Sequence, residues 1–262
     1  MVWGVARAFS GRVLLRIEDH DRTRSRSDFE TAILEDLRWL GFVADAPMVR
    51  QSDRHALYLE AMEGLQASGH VYACGCSRKS IQAALGPGVD ETRYPGTCRN
   101  RGVDDATENA RRIVLGPTRI VFEDLLLGRT EQVPADQCGD VLARDRHGQW
   151  TYQFAAVCDD LDQGIDLVIR GEDLLASAGR QIQLAEMMGR AAPPRFLHHP
   201  LIIHPDGSKL SKSNHDTGIR ELRAAGWTAE RVLGRAGLAL GLTAGEPITQ
   251  SEIATRIREG AS

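Results

Sequence analysis

The chain has 262 residues, 42% of them hydrophobic, enough to bury one large α/β domain or a domain carrying an insertion. No apolar run reaches the roughly 18 residues a transmembrane helix needs, and a formal net charge of −4 argues against a uniformly basic nucleic-acid coat, leaving room only for a local basic face. The five cysteines are an odd number, and the start of the chain mixes Arg7 and Arg12 into its apolar residues, unlike a secretion signal; a disulfide scaffold is disfavoured, and thiolate metal ligands in a reducing cytoplasm are expected.

Taken in chain order, residues 14–17 form a short apolar run that ends in charge, the pattern of a buried parallel strand leading into a functional loop. Ser27, Asp28, Phe29 and Glu30 offer a capping box. Ile33, Leu37 and Leu40 follow at helical spacing, and Gly41 closes the segment. A second helix is expected over residues 53–67. Composition then changes: residues 72–100 carry clustered cysteines with many Gly and Pro residues, and short strands are expected at 113–119, 119–123 and 131–133. Beyond Trp150 the α/β pattern returns. Residues 151–157 are expected as a strand bearing Tyr152, residues 165–169 as a strongly β-prone strand, 174–188 as a helix and 200–203 as another strand or the end of one. The tail is helical with Gly and Pro interruptions. These readings divide the chain into 1–71, 72–146, 147–220 and 221–262: two halves of a core, an inserted subdomain between them, and a helical tail.

Three groups of residues carry chemistry. In the first, Cys74 and Cys76 flank Gly75, and Cys98 returns from a second loop after Tyr94, Pro95, Gly96 and Thr97. Three thiolates leave one position of a tetrahedral Zn²⁺ site, for which Tyr94 and His70 are both candidates. Loops this rich in Gly and Pro gain little from a core of their own, so a structural zinc outweighs three incidental thiols. Cys138 and Cys158 read as ordinary small hydrophobic residues.

The second group sits at strand ends, where open α/β sheets bind ligands. Arg16, Ile17, Glu18, Asp19, His20 and Asp21 follow the first strand; a carboxylate there can grip an ammonium group, with a solvated acidic turn and a Mg²⁺ site as the alternatives. Arg170, followed by Gly171, Glu172 and Asp173, ends a later strand and can pair with a carboxylate, or with one of the nearby acids. Gly171 leaves room for close backbone approach. Together Glu18 and Arg170 can hold both ends of a zwitterion. The third group, Lys209, Leu210, Ser211, Lys212 and Ser213 after Gly207, suits a loop that stabilises a triphosphate.

Lys209 to Ser213 resembles the KMSKS signature of class I aminoacyl-tRNA synthetases. Leu14 to Asp21 resembles the LRIEDxD segment of glutamyl-tRNA synthetases, and Val168 to Leu175 their VxRGxDLL segment. The three stand in the family's order, and the resemblance covers nearly the whole chain. Cys74, Cys76, Tyr94 and Cys98 resemble the zinc site of the glutamyl-queuosine tRNA(Asp) synthetase branch, whose fourth ligand is a tyrosine. The resemblance implies an α/β, Rossmann-like class I catalytic core with a zinc-bearing inserted subdomain and a helical C-terminal tail. It implies that Glu18, Tyr152 and Arg170 bind L-glutamate, and that Lys209 and Lys212 contact ATP, used with Mg²⁺. It also implies a cytoplasmic, monomeric enzyme that attaches glutamate to queuosine at the wobble position of tRNA(Asp).

Members of this family begin with a strand and a HIGH-type motif, whereas Met1 to Arg7 align within the helix that follows. An N-terminally incomplete core is therefore expected. A glutamyl-tRNA synthetase fragment and an inactive RNA- or zinc-binding remnant are the alternative readings.

Overall fold

The structure, a computed structural model, describes residues 1–20, 27–85, 93–104, 106, 108–203 and 218–260. Helix α1 (Val2–Ala8) opens the chain, and β1 (Arg16–Ile17) pairs in parallel with β2 (Val49–Arg50). The strand expected at 14–17 keeps only its last two residues, because the ladder with β2 begins at the Arg16–Val49 pair. Between the strands lies α2 (Ser27–Trp39), which ends where Gly41 adopts φ +76°. That left-handed residue lets the Phe42 N–H donate to Leu37 O at 2.8 Å and close the last turn. The Glu30 carboxylate accepts from Arg50 Nε at 3.1 Å, tying α2 to β2.

A 3₁₀ turn at Gln51–Asp53 leads into α3 (His55–Ala67). An antiparallel sheet follows, ordered β3-β4-β7, from β3 (Val71–Cys74), β4 (Ala110–Ile113) and β7 (Val141–Arg144), with α4 (Arg78–Leu85) between the first two. The strand expected at 113–119 instead ends at Ile113. Pro117 has no N–H for a ladder; beyond the Val114 N–H, which donates to His70 O at 2.9 Å, the chain runs outside any strand to residue 119 and re-forms one after it.

A hairpin then forms from β5 (Ile120–Asp124) and β6 (Gly128–Gln132). Short helix α5 (Pro134–Cys138) precedes β7. Helix α6 (Tyr152–Asp162) takes the place of the strand expected at 151–157. A continuous apolar run does not distinguish a buried strand from a buried helix by its period. Here residues 152–162 run without a Gly or Pro, and Phe154 to Asp159 within them are all buried. Strand β8 (Leu167–Gly171), a 3₁₀ turn at Glu172–Ser177, α7 (Ala178–Met187) and β9 (Arg195–His199) complete a sheet ordered β6-β5-β9-β8. The strand expected at 200–203, or to end there, spans 195–199 and stops before Pro200. Strands β5, β9 and β8 run parallel, so the hairpin at 120–132, within the span 72–146, hydrogen-bonds into the same sheet as the strands that follow it.

The tail consists of α8 (Ile219–Ala224), α9 (Ala229–Ala239) and α10 (Gln250–Gly260). Thr228 caps α9 by accepting from the Arg231 N–H at 3.3 Å. Helix α10 packs on α1 across Gly4, where an added Cβ would stand 2.9 Å from Ile257 Cδ1. Gln250 Nε2 donates to Leu40 O at 2.6 Å, so the tail clasps both α1 and the end of α2. Among the described residues, no helix is long and apolar enough to cross a membrane.

The main core joins α3, α6 and α7 through Tyr58, Trp150, Phe154 and Leu184, with Trp150 and Phe154 stacked at 5.2 Å. Beside it lies Asp159, fully buried. Its carboxylate accepts from Arg54 Nε at 2.7 Å, Gln51 Nε2 at 2.8 Å and the Tyr58 hydroxyl at 3.0 Å, and it lies 3.3 Å from Arg16 Nε. Removing one member of a buried charge network strands the others. Asp159→Ala is expected to cost about 3–5 kcal/mol of stability, read as a lowered midpoint in urea unfolding; a loss below about 1 kcal/mol would show that the network is incidental.

Candidate active site

Two strand ends face each other across a cavity of about 730 Å³. One wall is the segment from Leu14 through Arg16 to Glu18. The opposite wall is β8, from Leu167 to Arg170, with Tyr152 and Asp160 of α6 between them and Trp3 of α1 at one side. Glu18, Tyr152 and Arg170, drawn from three separate stretches of sequence, therefore line a single space.

Arg16 organises the first wall. Its Nη1 donates to Asp160 Oδ1 at 2.9 Å and to Gln163 Oε1 at 3.0 Å, and its Nη2 lies 3.7 Å from Glu18 Oε1. Burial pushes the carboxyls of Glu18 and Asp160 up, while the neighbouring charge of Arg16 opposes the rise at both. The rest of the acidic loop has structural work. Asp19 accepts from the Ser52 N–H at 2.9 Å and from Ser52 Oγ at 2.6 Å, and His20 Nδ1 is 2.5 Å from Gln51 Oε1. Asp21 lies outside the described residues. Among those residues, the acids of this loop do not gather as a metal site.

Arg170 occupies the second wall. Its Nε donates to His198 Nε2 at 3.0 Å and its Nη1 to Gln181 Oε1 at 2.7 Å, while Nη2 is buried without a hydrogen-bond partner among the described residues. Burial draws the Arg170 pKa down against the opposing pull of Tyr152 and Asp160. Among the described residues the side chain is thus held by neutral groups rather than by an acid, and one of its nitrogens has no acceptor. A buried donor without an acceptor is costly unless a ligand supplies one. Gly171 serves a different end from the close ligand approach expected of it: an added Cβ would stand 2.7 Å from both Asp173 Oδ1 and Leu201 Cδ2, so side chains of the protein use its space.

Tyr152 is the first residue of α6 and also lines a second cavity, of about 630 Å³, that reaches Cys76 and Tyr94. There the sulfurs of Cys74, Cys76 and Cys98 lie within 4.8 Å of one another, with Cys76 Sγ 3.5 Å from Cys98 Sγ. The Tyr94 hydroxyl is 3.3 Å from Cys74 Sγ and 3.7 Å from Cys76 Sγ. Zn–S bonds of about 2.3 Å put tetrahedral sulfurs a little under 4 Å apart, so this donor set fits Zn²⁺. His70 does not join the cluster. Cys138 and Cys158 are free and buried elsewhere. The loop bearing Tyr94 meets the chain after α5 where Tyr94 bridges Gly139, and Arg112 lies 3.7 Å over the Tyr94 ring. Behind the cluster, buried Asp140 accepts from the Tyr72 hydroxyl at 2.6 Å, Arg99 Nε at 2.9 Å and the Leu115 N–H at 3.1 Å.

Lys209 and Lys212, with the remainder of their loop, lie outside the described residues. The supporting residues Arg16, Asp159, Asp160, Gln181 and His198 were not singled out from the sequence. Arg16 stood beside Glu18 in a motif without a role of its own, and adjacent Asp159 and Asp160 at the end of an apolar run were the one available signal for the others.

Residues 1–257 match the family of class I tRNA synthetases (E and Q), catalytic domain. The chain is 43% identical over 221 residues to a glutamyl-Q tRNA(Asp) synthetase of Pseudomonas fluorescens, covering 84% of this chain and 71% of that protein. A second, of Symbiobacterium thermophilum, is 38% identical over 97% of this chain and 84% of its own length. The fold superposes on a glutamate tRNA ligase from Elizabethkingia meningosepticum, solved in complex with its amino acid, with a TM-score of 0.78 at 24% identity, and spans 96% of this chain but 59% of the ligase. The chain belongs to the class I tRNA synthetases (E and Q), a family of ligases, and groups within it with the glutamyl-Q tRNA(Asp) synthetases.

Gly139 permits the contact that shapes the cysteine cluster. At φ +65°, an added Cβ would stand 1.9 Å from Tyr94 O, a contact that backbone must move to relieve. Gly139→Ala is expected to displace the Tyr94 loop and expose Cys74 and Cys98, raising their alkylation rate at least about tenfold, the effect of roughly 1.4 kcal/mol in local opening. An unchanged rate would show that the loop tolerates the shift.

Proposed function

We propose that this chain activates L-glutamate with ATP and transfers the glutamyl group to queuosine at the wobble position of tRNA(Asp). The observation that carries the reading is the convergence of Glu18, Tyr152 and Arg170 on one cavity, with Arg170 Nη2 lacking an acceptor among the described residues. A zwitterion needs an anion for its ammonium group and a cation for its carboxylate, and Glu18 and Arg170 supply that pair from opposite walls. Similarity to glutamyl-Q tRNA(Asp) synthetases supports the same substrates.

The reaction runs in two steps. A glutamate carboxylate oxygen attacks the α-phosphorus of ATP, the bond to the bridging oxygen breaks, and pyrophosphate leaves. A hydroxyl of the queuosine cyclopentene ring then attacks the acyl carbon, and AMP leaves with the bonding electrons. Lys209 and Lys212 are assigned to ATP, and Mg²⁺ would supply further positive charge against its phosphates. The protein contributes position and charge rather than a general base. Cys74, Cys76, Tyr94 and Cys98 are assigned to a structural Zn²⁺, which would cross-link two loops that share a small core.

Labelled glutamate should enter queuosine-bearing tRNA(Asp) but not the same tRNA without queuosine. Charging of tRNA(Glu) instead would support a general glutamyl-tRNA synthetase, and charging of neither would sink the catalytic reading. Arg170→Gln should weaken glutamate use by at least about tenfold, the cost of one charge-assisted hydrogen bond. Metal analysis should find stoichiometric zinc that is lost from Cys98→Ser; zinc-free wild-type protein with an unchanged melting curve would remove the metal assignment.

A further inference from the structure

Arg170 is anchored by a buried pair that the substrate reading leaves without a role. His198 on β9 stands directly across the parallel ladder from Arg170 on β8. It is fully buried, as is the side chain of Asp124 at the end of β5. His198 Nδ1 is 2.7 Å from Asp124 Oδ2, and the His198 backbone N–H donates to the same oxygen at 3.1 Å. The other oxygen, Oδ1, accepts from the Leu126 and Leu127 N–H groups, both at 3.0 Å. Burial opposes ionisation of Asp124, but the hydrogen bonds from His198, Leu127 and Leu126 outweigh it and hold the carboxyl below the usual range.

The proton positions follow from chemistry. Arginine Nε only donates, so His198 Nε2, 3.0 Å away, must accept. The ring is then neutral, with its single proton on Nδ1 donated to Asp124. Burial and the adjacent Arg170 charge draw the His198 pKa down, against the pull of Asp124 and Glu172, in keeping with a neutral ring. Phe196 stacks on the imidazole at 5.8 Å and 12°, fixing its plane. A ring turned to the other tautomer would set two N–H groups against each other and push the guanidinium away.

We propose that Asp124 and His198 are positioning residues: they lock His198 as the Nδ1–H tautomer so that its Nε2 lone pair and Gln181 fix two nitrogens of Arg170, leaving Nη2 for the carboxylate of the amino-acid substrate. The proposal rests on the assignment of Arg170 to that carboxylate. It adds a requirement, that the state of a proton on His198, separated from the ligand by Arg170, sets how well the carboxylate is held. Asn in place of Asp124 can keep its oxygen on the Leu126 and Leu127 N–H groups while turning an N–H₂ toward His198 Nδ1, which would move the ring proton to Nε2.

The test uses the full chain. Long-range ¹H–¹⁵N spectra of histidine-labelled protein read the tautomer, and calorimetric titration with L-glutamate reads affinity. Wild-type His198 should carry its proton on Nδ1. Asp124→Asn should shift it to Nε2 and weaken glutamate binding by at least about tenfold, the cost of misplacing one charge-assisted hydrogen bond, with the melting curve retained. Adding His198→Gln to Asp124→Asn should recover most of that loss, because a glutamine carbonyl accepts from Arg170 Nε without a tautomer to satisfy. An Nε2–H or doubly protonated ring in the wild type overturns the relay, as does a flipped tautomer that leaves glutamate affinity intact. If Arg170→Gln leaves the affinity unchanged, the substrate assignment fails, while the tautomer spectrum still decides whether the relay exists.

Discussion

The cavity between β1 and β8 keeps its shape because a buried carboxylate, Asp159, is neutralised from two directions at once. Arg16 reaches it from β1, and Arg54, Gln51 and Tyr58 reach it from α3 and the turn before it. A charge taken out of water is tolerated only when partners surround it, so these elements cannot drift apart without exposing an unpaired carboxylate to an apolar interior. Next to it, Asp160 receives Arg16 Nη1 and faces the cavity. One arginine therefore joins the structural network to the wall on which Glu18 stands.

The same device recurs twice. Asp140 holds Tyr72, Arg99 and the Leu115 backbone behind the cysteine cluster. Asp124 holds His198 and the turn after β5, and through His198 it reaches Arg170. In each case a buried aspartate, on helix α6 for Asp159 and at or beside a strand end for Asp124 and Asp140, gathers donors from segments far apart in sequence. Three such knots divide the labour: one fixes the wall bearing Glu18, one the wall bearing Arg170, and one the loops bearing the thiolates. Their members are polar residues inside the protein, where a lost partner costs more than any single surface contact.

This arrangement also explains where the fold departs from expectation. Glu30 of α2 pairs with Arg50 of β2, a partner that comes within reach only once α2 packs there. The β5–β6 hairpin joins β9 although the cysteine-rich segment before it forms a separate antiparallel sheet. Neither result is local: each depends on which surfaces meet after the chain has collapsed.

The sequence by itself determined the α/β alternation, the helical tail, and the grouping of Cys74, Cys76 and Cys98, because turn residues, apolar spacing and thiolate spacing act over a few positions; between Tyr94 and His70 that spacing did not choose. It also marked Glu18 and Arg170, whose charges stand where strands end. It did not determine that residues 152–162 form a helix, since an apolar run buried on all sides carries no period to read. Nor did it reveal Asp124, Asp159, Gln181 or His198, which look like any other polar residues in a sequence 26% charged. Only the tertiary structure decided their partners, because a hydrogen bond between residues 74 or 108 positions apart is set by the packing of strands and helices and leaves no local pattern behind.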